Sequence, residues 1–211
     1  MHKFLLQSSL YSLLLLNFIS CKSYQIEDAK PVENKVQWVE NQYFSSKDDY
    51  VYKTQLDIYK NHISGVLIVK KITPETHRVV MTTDFGNKMF DFEISENDFK
   101  MNYILPDLDK KMVIAFLRND FRELLREKYF VSETFETENQ KLFVSKKEKK
   151  KYYLYFNKSS DLLEKIVYTN KKRAKIDFSF EAKKHIFANN IILDHKDFKI
   201  TIQLQQITDN P

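Results

Sequence analysis

The sequence predicts a mainly antiparallel β domain with one principal helix, and three observations predict it. Apolar and polar residues alternate with a period of two over most of the chain beyond Asp49. Short polar breaks separate the alternating stretches. One segment, after Pro106, changes to a helical period.

In chain order, Tyr52, Leu56 and Ile58 share a face opposite Lys53, Gln55 and Asp57. Val66-Leu67-Ile68-Val69 is continuously apolar, which predicts a strand buried on both faces. Phe90, Phe92 and Ile94 alternate with Asp91 and Glu93, and Phe99, Met101, Tyr103 and Leu105 alternate with Lys100 and Asn102. Ile176, Phe178 and Phe180 follow, then Phe198, Ile200, Ile202 and Leu204. Such alternation places one face on a core and the other in water. The breaks at residues 60–63, 73–77, 157–161, 170–172 and 194–197 have the length of antiparallel connections.

The helical segment runs from Pro106-Asp107 to about Glu127, with Asp107 as the expected N-cap. At 100° per residue, Val113, Ile114, Leu117, Phe121, Leu124 and Leu125 form a stripe directed at the sheet. Leu108, Met112 and Phe116 form a second apolar stripe, spaced by four and expected nearly opposite, which fades at Asn119 and Glu123. A helix apolar on two sides is held between the sheet and something else. That is either a second layer of protein or an acyl chain or apolar partner.

Composition narrows the function. The chain has 17 Phe, 12 Tyr and only two glycines, Gly65 and Gly86, which excludes Gly-rich phosphate cradles and dinucleotide fingerprints. The formal charge of +5 is a mild bias with both signs interspersed, which argues against a nucleic-acid binder. No catalytic constellation, cofactor motif or metal motif emerges. His2, His62, His77, His185 and His195 form neither an HExxH motif nor a zinc spacing with cysteine. Ser64-Gly65 lacks the G-x-S-x-G elbow. Asp91 and Glu93 read as solvated, His185 as exposed, and the basic run over residues 146–151 as a solvated loop or a lipid-headgroup contact.

The N-terminus carries the strongest signal. Lys3 precedes a short apolar stretch from Leu10 to Ile19, broken by Ser12 and Asn17. A spanning helix needs about 20 apolar residues, so residues 1–20 read as a signal peptide. Cys21 is the only cysteine, which excludes an intramolecular disulfide. Phe18-Ile19-Ser20-Cys21 resembles the lipobox of bacterial lipoproteins, with Phe18 in place of the usual leucine, and implies acylation of Cys21; the bland alternative is an incidental thiol. The polar residues after it make 21–48 a lipidated tether, with Val36, Trp38 and Val39 as a short helix or packed strip. Residues 49–211 are then a single domain.

Four segments carry a further resemblance. They are Ser64-Gly65-Val66-Leu67, the hairpin from Arg78 to Phe92, the strand at 99–105 with its helix, and the C-terminal pair at 188–193 and 198–204. Together they resemble the LolA/LolB family, spanning residues 50–207. The resemblance implies a strongly curved antiparallel sheet, an incomplete barrel with its open side covered by helix, and a cavity for lipoprotein acyl chains. LolA is a periplasmic carrier and LolB an outer-membrane lipoprotein receptor. LolB also has an exposed leucine before a glycine in a loop between early strands, used in delivery to the membrane. Thr83-Asp84-Phe85-Gly86-Asn87 is similar, with Phe85 in the leucine's place; alternatively Phe85 turns back into the core.

The expectation is therefore a non-catalytic lipoprotein, anchored through Cys21, that binds acyl chains or lipoprotein cargo at Leu108, Met112 and Phe116. Its partners would be a membrane and lipoprotein acyl chains or a periplasmic carrier. Lys22 after the cysteine resembles lipoproteins sorted to an outer membrane, facing the periplasm. The rivals are an interaction lipoprotein with a filled core and a hydrolase with a composite site.

Overall fold

A computed structural model describes residues 23–207, so Cys21 and the expected signal peptide lie outside the described residues. Two antiparallel meanders make up the sheet. The first runs through β3 (Asp49–Ile58), β4 (Asn61–Lys71), β5 (His77–Thr83), β6 (Lys88–Ile94) and β7 (Phe99–Ile104). The second runs through β8 (Lys128–Glu136), β9 (Gln140–Lys147), β10 (Lys150–Asn157), β11 (Leu163–Asn170), β12 (Arg173–Glu181), β13 (Asn190–His195) and β14 (Ile200–Gln206). Pairing of β14 with β3, Ile200 opposite Ile58 and Leu204 opposite Thr54, joins them into one sheet. Helix α1 (Lys111–Leu124) connects β7 to β8.

The period-two faces pack as expected. Tyr50 and Tyr52 on β3, Ile176, Phe178 and Phe180 on β12, and Ile202 and Leu204 on β14 all point into one core. The continuous run on β4 is a partial exception: Leu67 and Val69 are fully buried, whereas Val66 and Ile68 are half-buried on the outer face. An antiparallel sheet covered on one side leaves its other face largely to water. Gly65 on β4 is required by close approach, because a Cβ there would sit 1.9 Å from the Thr82 carbonyl oxygen on β5.

The sheet curls without closing. Lys147 on β9 pairs with Glu96 in the β6–β7 connection, and Lys71 at the end of β4 pairs with Glu127 just before β8. Segments far apart in the ladder order therefore approach one another. β7 and β8, the outer strands of the two meanders, share no ladder, and α1 lies over the opening. This is the curved, open, helix-covered sheet expected from the sequence.

The N-terminal segment corrects one expectation. From Tyr24 onward it is not a free tether. β1 (Lys30–Val32) and β2 (Trp38–Glu40) pair with the free edge of β8, and Tyr43 and Phe44 enter the core. Tyr24 and Ile26 cover a small apolar cluster of Val144, Tyr153 and Val167 on the outer face. An unpaired sheet edge and isolated aromatics provide the driving force, and neither shows as periodicity in a polar segment.

The helix start also differs. Pro106–Leu108 is a separate 3-10 turn that contains Asp107, and α1 begins after Lys110 with no side-chain cap. The helix stops at Leu124, short of Glu127, which is drawn to Lys71.

Candidate functional site

Between α1 and the concave face of the sheet lies a cavity of about 550 Å³, within the range of roughly 300–1,000 Å³ usual for small-molecule sites. Its sheet wall is apolar: Leu56, Ile63, Met81, Phe90 and Ile202 face it. Its helix wall comprises Leu108, Met112, Val113, Phe116 and Leu117. Its mouth lies at the turns after β3 and β13, where Tyr59 and Phe198 border it.

The structure brings Leu108, Met112 and Phe116 together on the helix wall, but not on a separate side of the helix. At about 100° per residue, Val113 follows Met112 by about 100° and Leu117 follows Phe116 by the same angle. The two stripes are neighbours around the helix rather than opposites, and both border the cavity. Leu108 and Val113 also pack on the core, Phe116 is half-buried, and Met112 is 71% exposed.

Two acids of α1, Asp120 and Glu123, are buried beside these stripes. Asp120 Oδ2 lies 3.1 Å from His195 Nε2 on β13, and both side chains are almost wholly buried. Burial pushes the Asp120 carboxyl above its ordinary range, against the opposing hydrogen bond from His195. Glu123 accepts from Lys150 Nζ and Tyr152 Oη, each at 2.8 Å, and from Arg126 Nε at 3.4 Å. Burial, then the Glu123 charge, pushes the Tyr152 hydroxyl up and keeps it protonated as a donor. Asp120, Glu123, Lys150 and His195 thus form a polar wall to an otherwise apolar cavity. Their i, i+3 spacing on α1 was the only sequence signal available for the two acids. The strand partners that bury them are remote in sequence.

The chemistry open to this wall is limited. The His195–Asp120 pair resembles half of a nucleophilic triad, but no serine, threonine or cysteine lines the cavity among the described residues. Among those residues, no three His, Cys, Asp or Glu side chains gather as a metal site requires. The basic run at 146–151 is tied into ion pairs, Lys146 with Glu133, Lys147 with Glu96 and Lys150 with Glu123.

Phe85 stands apart from the cavity. It is 94% exposed at the tip of the β5–β6 hairpin, beside Gly86 at φ +83°. The positive φ and the Gly86 N–H bond to the Thr83 carbonyl close the turn so that Phe85 projects outward. Cys21 lies outside the described residues.

No family model and no curated protein matches the sequence. Solved structures do match in shape. One is a LolA superfamily protein from Nitrosomonas europaea, with a TM-score of 0.54 at 10% identity, covering 81% of this chain and 90% of the other. Another is a putative outer membrane lipoprotein-sorting protein domain from Vibrio parahaemolyticus, with a TM-score of 0.52 at 11% identity, covering 77% and 85%. The chain has a LolA/LolB-like fold.

Proposed function

We propose that the protein is a membrane-anchored lipoprotein that shelters an acyl chain, or the acyl chains of a lipoprotein cargo, without catalysis. The observation that carries this reading is the cavity of about 550 Å³ with an apolar sheet wall and a helix cover. Hydrocarbon moved from water into such a space gains about 0.8 kcal/mol per CH₂. Leu108 of the 3-10 turn and Met112 and Phe116 of α1 are the groups that touch the chain. Cys21 carries the lipid anchor, and the exposed Phe85 hands cargo to or from a bilayer. A LolB-like receptor in the outer membrane, facing the periplasm and supplied by a periplasmic carrier, fits these roles.

A hollow interior favours this reading over a filled-core interaction protein. No serine, threonine or cysteine lines the cavity among the described residues, which weighs against a hydrolase of the serine or cysteine type. Native mass spectrometry of the gently extracted protein tests it. The expected result is a population carrying a noncovalent lipid, displaced by excess fluorescent fatty acid. A protein with no bound lipid and no saturable fatty-acid binding overturns it.

A further inference from the structure

Four neighbouring turns form a continuous rim around the cavity mouth, and backbone hydrogen bonds stitch them together. Lys171 N–H donates to the Lys149 carbonyl, joining the β11–β12 turn to the β9–β10 turn. Lys196 N–H donates to Lys175, and Tyr59 N–H to Lys199, joining the β13–β14 turn to β12 and to the β3–β4 turn. These turns hold Lys60, Lys149, Lys171, Lys172, Lys196 and Lys199 against only Glu148 and Asp197. Asp197 is already paired with Lys175, and Lys196 with Asp177 and Asp194, which leaves Lys60, Lys149, Lys171, Lys172 and Lys199 as the basic excess. The turns at the other end of this part of the sheet balance Glu75, Glu138 and Asp161 against Lys158, Lys183 and Lys184. The basic excess is therefore confined to one rim. Two aromatics stand on it, Tyr59 at 60% and Phe198 at 51% exposure.

The described chain begins at this rim. Tyr24 N–H donates to the Lys172 carbonyl, and the Tyr24 ring packs 4.7 Å from that of Tyr153 while its hydroxyl bonds to Tyr155. Two residues separate Tyr24 from Cys21, a span of at most about 10 Å. A lipid on Cys21 would therefore attach within that distance of Tyr24, on the side of the domain that carries Lys172.

We infer that this basic rim is a docking surface for an anionic lipid bilayer. It sets the cavity mouth against the membrane. Lysines meet acidic headgroups, and Tyr59 and Phe198 enter the interfacial layer, where amphipathic rings are favoured. The lipid anchor and the polybasic patch act as two signals on one face, a combination that holds a protein where a single acyl chain does not. Cargo then moves between cavity and bilayer without crossing open water. The inference rests on the reading of Cys21 as the anchor only for how the chain reaches its membrane.

The test isolates headgroup docking from acylation. All the described strands and the helix lie within residues 30–206, so the chain from residue 21 carrying Cys21→Ser keeps the described fold and accepts no lipid at that position. It is sedimented with vesicles of phosphatidylcholine alone and of phosphatidylcholine mixed with phosphatidylglycerol. Binding is expected to the anionic vesicles, and to fall away at about 0.5 M salt as charges are screened. Replacing Lys149, Lys171, Lys172 and Lys199 with Gln should weaken it by at least about tenfold with an unchanged melting temperature. Replacing Lys158, Lys183 and Lys184 with Gln should leave it intact. Equal binding to both vesicle types, equal loss from both sets of substitutions, or unaltered binding by the rim variant overturns the inference. Because Cys21 is absent as a thiol, failure here is distinct from failure of lipidation.

Discussion

The ring of Phe116 lies 4.5 Å from the imidazole of His195, centroid to centroid, and that imidazole is bonded in turn to Asp120, one turn further along the same helix. Residues 116 and 120 of α1 therefore grip one side chain of β13 from two directions. The apolar contact faces the cavity and the polar one braces it. The helix lining is held in place on the sheet side while the cavity beside it stays open.

Met112 and Phe116 should matter more for ligand than for folding. Met112 is mostly exposed, and Phe116 already borders empty space. Changing both to Ser should cost about 1–2 kcal/mol of stability, less than the several kcal/mol of a fully packed pair. Affinity for a fluorescent fatty acid should drop at least about tenfold. Measuring chemical denaturation and dye binding on the same preparation decides it. A large loss of stability with unaltered dye affinity places these residues in a structural layer instead.

Phe85→Ala should leave the melting temperature nearly unchanged, since surface truncations usually fall within about 0.5 kcal/mol and this ring is exposed. Transfer of cargo into liposomes should slow, and Phe85→Leu should retain most of it. A Phe85→Ala protein that binds and transfers at the normal rate removes Phe85 from the delivery step.

His77 gives stability a pH dependence. Burial lowers its pKa below the ordinary value of 6.5, against the Phe44 carbonyl and Glu127, which favour the proton, and with Lys71, which opposes it. Below about pH 6.5 the unfolded chain takes up a proton that the folded chain refuses until its own lower pKa is reached. Stability contributed by neutral His77 is therefore lost as pH falls through that window. Urea unfolding between pH 7.5 and 5.5 should show a shallower decline for His77→Gln than for the wild type. Parallel curves, or an imidazole that titrates at or above the ordinary value, count against it.

Cys21→Ser should abolish incorporation of labelled palmitate and move the protein from the membrane to the soluble fraction after carbonate and salt washing. The rim lysines by themselves give salt-sensitive attachment, which the washes remove. Full retention in the washed membranes means that something other than acyl chains holds the protein.

The sequence by itself determined the strands β3, β4, β6, β7, β12 and β14, the single helix and the outline of the fold. Alternation such as Ile176, Phe178, Phe180 and the change of period after Pro106 are local signals, set by which face of an element is dry. The sequence left Phe85 open between solvent and core, and the turn closed at Gly86 decides for solvent. Tertiary structure alone decided the rest. The sequence placed Asn119 and Glu123 together as the polar end of a stripe, yet Glu123 is buried, because Lys150, Tyr152 and Arg126 converge on it. Asp120 is buried because β13 brings His195 across 75 positions of chain. Residues 23–48 read as a polar tether, and became part of the domain because β8 offered them an unpaired edge. The basic rim exists only because antiparallel pairing brings lysines from four separate turns to the same end of the sheet. Charge and burial that depend on partners distant along the chain leave no period in the sequence, and only the folded sheet reveals them.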